Sequence, residues 1–175
     1  MYTYEYPRPA VTTDCLIFGF DANGQLHLLL VERGNEPYRG KWAFPGGFLD
    51  MDETAEACAL RELQEETSLT NVRVMQLQAF SAVNRDPRGR TITIAYISIV
   101  DMAKCKPIAG DDAAKVQWFP VSQLPPLAFD HADILKAAFA KLRTFISDNY
   151  AYINNESPLS DEEIQALFAN RIKHS

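Results

Sequence analysis

Residues Glu53 to Thr67 constrain this chain most: fifteen positions rich in helix formers, without a glycine or a proline. The Ala, Leu, Glu and Gln that fill them predict a helix. The runs on either side have the opposite preference. Thr12 to Phe20 is rich in β-forming residues, Asp21-Ala22-Asn23-Gly24 is a turn signal, and Leu26 to Val31 reads as the second arm of a hairpin. Further on, Val72 to Val83 and Thr91 to Val100 predict another strand pair, joined by the loop Asn84 to Arg90. Val116 to Val121 is a short apolar run that ends in a Pro-rich turn. Two later helices are expected. Asp130 to Ser147 places Ile134, Leu135, Ala138, Leu142 and Ile146 at helical spacing, and Ser160 to Ile172 opens on a capping-box pattern of Ser160, Asp161 and Glu163. Strands, helix, strands and then helices predict an α+β, mixed-sheet sandwich rather than a βαβ repeat. One domain over 1–147 is expected, with 148–175 as a helical extension beyond the polar segment Asp148 to Pro158.

On the first helix, Glu62, Glu65 and Glu66 stand at i, i+3 and i+4, within an arc of about 100°. Leu60 and Leu63 lie on the adjacent arc and face the core. Like charges at this spacing repel by roughly 0.2–0.5 kcal/mol per pair. Three hard oxygen donors on one face invite a hard cation, Mg²⁺ or Mn²⁺; a solvated acidic face is the plainer alternative. Upstream, Trp42-Ala43-Phe44-Pro45-Gly46-Gly47 is an apolar segment broken by Pro-Gly-Gly. Its glycine pair allows either a tight turn or close approach of the backbone to a ligand.

The net charge of −6 argues against a broad nucleic-acid-binding face, though not against a small anionic ligand in a locally cationic cleft. Arg85, Arg88 and Arg90 crowd the loop Arg85 to Arg90, where guanidinium forks suit phosphate or ribose; a solvated hairpin tip is the alternative. Arg33 follows a strand at the mouth that this topology implies. Phe80 and Trp42 are candidates for stacking on a base, with core packing as the alternative for both. His27, His131 and His174 have no ligand spacing and receive no metal role. Cys15, Cys58 and Cys105 form no CxxC pair, which predicts free thiols packed as small hydrophobes in a reducing, cytoplasmic setting. No apolar run approaches the ~20 residues of a membrane span.

From Gly47, five residues lead to Glu53 and seven more to Arg61-Glu62-Leu63. One residue separates these from Glu65-Glu66, and one more precedes Ser68-Leu69. This spacing resembles the Nudix box, with eight of nine fixed positions matched over 23 residues. Ser68 departs from the pattern, which has glycine there as a helix C-cap with positive φ. The resemblance implies a Nudix-type α/β/α sandwich and a metal-dependent hydrolase of nucleoside diphosphate compounds. It implies that Glu62, Glu65 and Glu66 hold the cation, with the Gly46 carbonyl as a further ligand. Arg61 orients the glutamates, Glu53 supports the loop–helix geometry, and Asp111 or Asp112 is a candidate extra base or ligand. The stretches Arg33-Gly34, Gly40 to Phe48 and Arg85 to Gly89 resemble the ADP-ribose pyrophosphatase subgroup, for which the products are AMP and ribose 5-phosphate. A homodimer is expected by the same likeness. Two alternatives stand beside this reading. One is a nucleotide-sensing transcriptional regulator, which Leu124 to His131 also resembles. Only about 28 residues follow Ser147, too few for the winged helix of such regulators. The other is a housecleaning nucleoside triphosphate pyrophosphohydrolase. An isoprenoid diphosphate isomerase shares the fold class, but the full set of carboxylates reads better for hydrolysis.

Overall fold

The computed structural model describes residues 4–110 and 113–148. Its elements run β1 (Ala10–Phe20), β2 (Leu26–Arg33), β3 (Trp42–Ala43), β4 (Gly46–Phe48), α1 (Ala55–Thr67), β5 (Met75–Phe80), β6 (Thr91–Asp101), β7 (Ala113–Pro120) and α2 (His131–Asp148). The sheet is mixed: β1 pairs in parallel with β6 along its full length, from Ala10 opposite Thr91 to Phe20 opposite Asp101, and the other pairings are antiparallel.

β1 is buried on both faces, so its residues sort by parity rather than by polarity. Cys15 and Ile17 join Ala59, Leu63 and Tyr96 under α1. Leu16 and Phe18 join Leu28, Ile97, Ile134 and Ala138 under α2. The sheet thus lies between two helical layers, the expected sandwich. Each such fully buried aliphatic side chain contributes about 1.5–3 kcal/mol.

On one side β1 is shared between two partners. Phe18–Phe20 pair with β2, whereas Thr12–Asp14 pair with β4. Between them the chain from β3 to β4 crosses as a strap, with Pro45 O accepting from Cys15 N at 2.8 Å. A cleft opens beside this strap.

Several element ends differ from the sequence expectation. α1 starts at Ala55 because Thr54 caps it, its Oγ1 accepting from Ala57 N at 3.2 Å. Glu53 therefore stands outside the helix, free to reach Arg61. β5 is shorter than the expected Val72 to Val83, because Val74 is buried as coil and the chain turns after Phe80. β3, β4 and the parallel β1–β6 pairing were not expected. Ser68 does adopt positive φ (60°); its N–H donates to Gln64 O at 2.8 Å and its Oγ to Ile108 O at 3.2 Å. The backbone conformation expected of glycine is therefore met by serine. The expected helix Ser160 to Ile172 lies outside the described residues. Among the described residues, no helix is long and apolar enough to cross a membrane.

Candidate active site

The cleft is bounded by the strap, by the C-terminal half of α1, by the end of β2, by the loop before β6 and by the residues leading into α2. Its walls include Asp14, Arg33, Gly46, Phe48, Glu66, Arg88, Phe129 and His131. The strap needs glycine at Gly46, which lies against main chain: a Cβ there would collide with Thr13 O. At Gly47 a side chain would push the Glu62 carboxylate aside. The Pro-Gly-Gly segment is thus a close-approach device that brings the main chain onto both β1 and the acidic helix.

Glu66 is half-buried, and its Oε2 accepts from Gly46 N at 3.0 Å. Burial pushes its pKa up to about 8, with nearby Glu62 adding to the effect. Burial likewise raises Glu62. Arg61 collects the other carboxylates. It donates to Glu53 through Nε (3.1 Å) and Nη2 (2.7 Å), and through Nη1 to Glu62 Oε1 (2.8 Å) and Glu65 Oε2 (3.1 Å). Its fork holds the Glu53 carboxyl down at about 2. Glu53 also takes Asp50 N at 2.9 Å, which ties the loop before α1 to the helix.

These residues suit a hard cation by donor type: carboxylate oxygens on one face, with the Gly46–Gly47 main chain packed against them. Among the described residues, no three carboxylates, thiols or imidazoles already close around one point, because Glu62 and Glu65 are drawn to Arg61. Asp111 and Asp112 lie outside the described residues.

The three loop arginines separate. Arg88 faces the cleft, with its guanidinium 4.8 Å from the Phe48 ring centroid and 5.3 Å from that of Phe129. It is held by the buried Asp86 through Nε (3.0 Å) and Nη2 (2.7 Å). Arg85 lines the same cleft, but its side chain is only 4 % exposed and its fork is engaged by Asp130, through Nε (2.9 Å) and Nη2 (2.8 Å). Arg90 does not line the cleft; its Nη1 donates to Ser81 O (3.0 Å) and Ala82 O (3.3 Å), closing the loop on itself. Phe80 packs against the core cluster on the α2 side and also stays outside the cleft. Arg33 lies over Phe129 at 4.8 Å and anchors through Nε to Pro37 O at 2.8 Å. Partial burial and the neighbouring Arg88 disfavour its charge, an environment that an anion would relieve.

Below the arginines is a buried polar cluster that the sequence reading did not find. Asp14 accepts from Thr93 Oγ1 at 2.6 Å, with Arg85 Nη2 at 3.6 Å and His131 Nε2 at 3.4 Å. Burial alone would raise the Asp14 pKa, but His131, Thr93 and Arg85 hold it below the usual carboxylate value. Phe129, at φ 51°, projects its ring between Arg33 and Arg88. The available signal was slight: an Asp inside an apolar strand, and the run Phe129-Asp130-His131 at a helix start.

The chain belongs to the NUDIX family: the model of the NUDIX domain matches residues 8–138. Its fold and acidic helix are those of a Nudix pyrophosphohydrolase domain. Among curated relatives, it is 40% identical over 131 residues to the ADP-ribose pyrophosphatase of Methanocaldococcus jannaschii, covering 75% of this chain and 73% of that one. It is 37% identical over 142 residues to the ADPR responsive transcriptional repressor NtrR of Acinetobacter baylyi, covering 79% of this chain but 56% of the repressor. The crystallised NUDIX domain of Shewanella oneidensis NrtR, complexed with ADP ribose, superposes with a TM-score of 0.72 at 33% identity, covering 78% of this chain and 90% of that one.

Proposed function

We propose that the protein is a Mg²⁺- or Mn²⁺-dependent hydrolase that cleaves the diphosphate of ADP-ribose to AMP and ribose 5-phosphate. The carrying observation is one cleft in which Glu66 of the acidic helix faces Arg33, Arg88, Phe48 and Phe129. The similarity to an ADP-ribose pyrophosphatase supports the same substrate.

Glu62, Glu65, Glu66 and the Gly46 carbonyl are the groups that would hold the cation. A divalent cation there supplies charge neutralisation at the phosphoryl oxygens and a more acidic water. Arg61 holds Glu62 and Glu65 aligned along the helix face. Hydrolysis adds one water across the bridging P–O bond and leaves two phosphomonoesters. Arg33 and Arg88 present N–H forks to a phosphate or ribose, and the Phe48 and Phe129 faces offer apolar contact to a base. A site built to hydrogen-bond a second ribose discriminates against ligands without one. Homodimeric assembly, a cytoplasmic location and the status of 148–175 as a separate extension belong to the same reading; a monomer by sedimentation would remove the first.

A second reading is a sensor that binds ADP-ribose without turning it over, favoured by the likeness to an ADPR responsive repressor. Steady-state kinetics with ADP-ribose, nucleoside diphosphate sugars and common nucleoside triphosphates separate these. The highest kcat/KM is expected for ADP-ribose. A higher value for any triphosphate overturns the substrate assignment, and tight binding without products favours the sensor.

A further inference from the structure

The strap from Trp42 to Phe48 carries Gly46, the one residue outside α1 that the proposed function assigns to the cation. Its far half is held by the segment that enters α2. Trp42 O accepts from Ala128 N at 2.8 Å. The buried Phe44 N–H donates to His131 Nδ1 at 3.0 Å, and the Phe44 ring stacks on the imidazole with centroids 4.5 Å apart and planes 4° from parallel. Pro45 O is fixed by Cys15 N at 2.8 Å, and Gly46 N then reaches Glu66 Oε2 at 3.0 Å.

His131 is 3 % exposed. Because Nδ1 accepts from Phe44, the ring proton sits on Nε2, which points at Asp14 Oδ1, 3.4 Å away. Asp14 is itself immobilised by Thr93 and Arg85. Both ring nitrogens are therefore engaged, on opposite sides, and the ring plane is clamped by Phe44. This is more orientation than packing alone requires of a core histidine.

We propose that His131 is a positioning residue: through its acceptor contact to the Phe44 N–H it fixes the Pro45–Gly46 peptide against Glu66, so that Gly46 and Glu66 are in register before cation or nucleotide arrives. A buried main-chain N–H deprived of its acceptor has to find another. The strap would have to move to do so, carrying Gly46 with it. Groups that orient a ligand from behind typically change metal affinity or activity by about 10–100-fold when removed.

Three substitutions divide the contacts. His131→Phe keeps the stack and loses both nitrogens. His131→Asn places an amide oxygen near the Nδ1 position, restoring the acceptor for Phe44. His131→Gln reaches toward Asp14 but leaves Phe44 N–H unpaired. The test uses the full chain and three readouts: amide hydrogen exchange at Phe44 and Gly46 without metal, Mn²⁺ affinity by EPR titration, and kcat and KM for ADP-ribose with Mg²⁺. His131→Phe and His131→Gln are expected to exchange faster at Phe44 and Gly46 and to bind Mn²⁺ about 10–100-fold more weakly. Their kcat is expected to fall by a similar factor, with a smaller change in KM. His131→Asn is expected to recover most of each. Unchanged Phe44 protection in His131→Gln, or His131→Asn no better than His131→Gln, overturns the proposal. The Asn–Gln comparison decides even if the Phe variant does not fold. The inference rests on the proposed function only for its kinetic readout. A wild-type protein that does not hydrolyse ADP-ribose refutes that reading, while exchange and Mn²⁺ affinity still decide the role of His131.

Discussion

Arg61 and Arg85 each gather carboxylates, yet their surroundings differ. Arg61 lies on α1 with its side chain 30% exposed, among Glu53, Glu62 and Glu65, so negative charge is in excess around it. Arg85 is 4 % exposed and lies between Asp14 and Asp130, with His131 and Thr93 completing the hydrogen bonds. The first cluster is wet and rearrangeable, which suits the cation-holding role proposed for its glutamates. The second is dry, with the Arg85 fork already engaged by Asp130. One residue type thus stands in two settings, on α1 and beside the start of α2, and solvent access makes the difference.

The comparison breaks most sharply under truncation. Arg85→Met takes the bidentate partner from the half-buried Asp130 and a cation from beside the buried Asp14, and is expected to cost about 3 kcal/mol in urea unfolding. Arg61→Met is expected to cost about 1 kcal/mol or less, since its partners are partly exposed. The acid limb carries a further signature. The Asp14 pKa is lowered in the folded state, so the unfolded chain binds more protons and stability rises with pH. That stabilisation is present at neutral pH and lost as pH falls below about 4. Arg85→Met should lose less on acidification than wild type. Equal unfolding costs for the two variants would erase the distinction.

Glu66→Gln tests the acidic helix on which the wet cluster lies. It keeps shape and removes a charge at the cation, where several kcal/mol of catalysis reside. A fall in kcat of at least about 100-fold with an unchanged melting temperature is expected. A loss of only a fewfold with unaltered Mn²⁺ affinity would take Glu66 out of the site.

How legible was this division in the sequence? The acidic helix was, because its residues lie within one local segment and their spacing alone puts them on one face. The dry cluster was not. Asp14 lies in β1, Arg85 in a loop, and Asp130 and His131 at the start of α2, and the parallel β1–β6 pairing that brings the first two together has no local signal. The arginine-rich loop shows the same limit. Composition marked Arg85, Arg88 and Arg90 alike, whereas the tight turn at Ala82–Arg85 and the Asp86 side chain send them to three different places. Phe80 followed the plainer expectation of core packing, and Phe48 and Phe129 took the cleft positions.

Arg88→Ala sharpens the cleft side of the comparison. Loss of one charge-assisted contact, about 1.5 kcal/mol, is expected to lower kcat/KM for ADP-ribose about tenfold, mostly through KM. An unchanged KM would place the substrate elsewhere. The smallest effect is expected for Ser68→Gly at the end of α1. Relief of positive φ gains about 1 kcal/mol, and the lost hydrogen bond to Ile108 O offsets it, so the net change stays within about 1 kcal/mol. A larger change would mean that one of the two terms is misjudged.

The most direct test of the central claim is a ³¹P NMR time course with the protein, ADP-ribose and Mg²⁺, followed by a matched sample in excess chelator. The diphosphate resonances are expected to give way to two phosphomonoester signals, AMP and ribose 5-phosphate, and to persist when the cation is removed. Diphosphate signals that shift on binding yet remain intact with Mg²⁺ present, or that disappear equally fast in chelator, would contradict cation-dependent cleavage at the acidic helix.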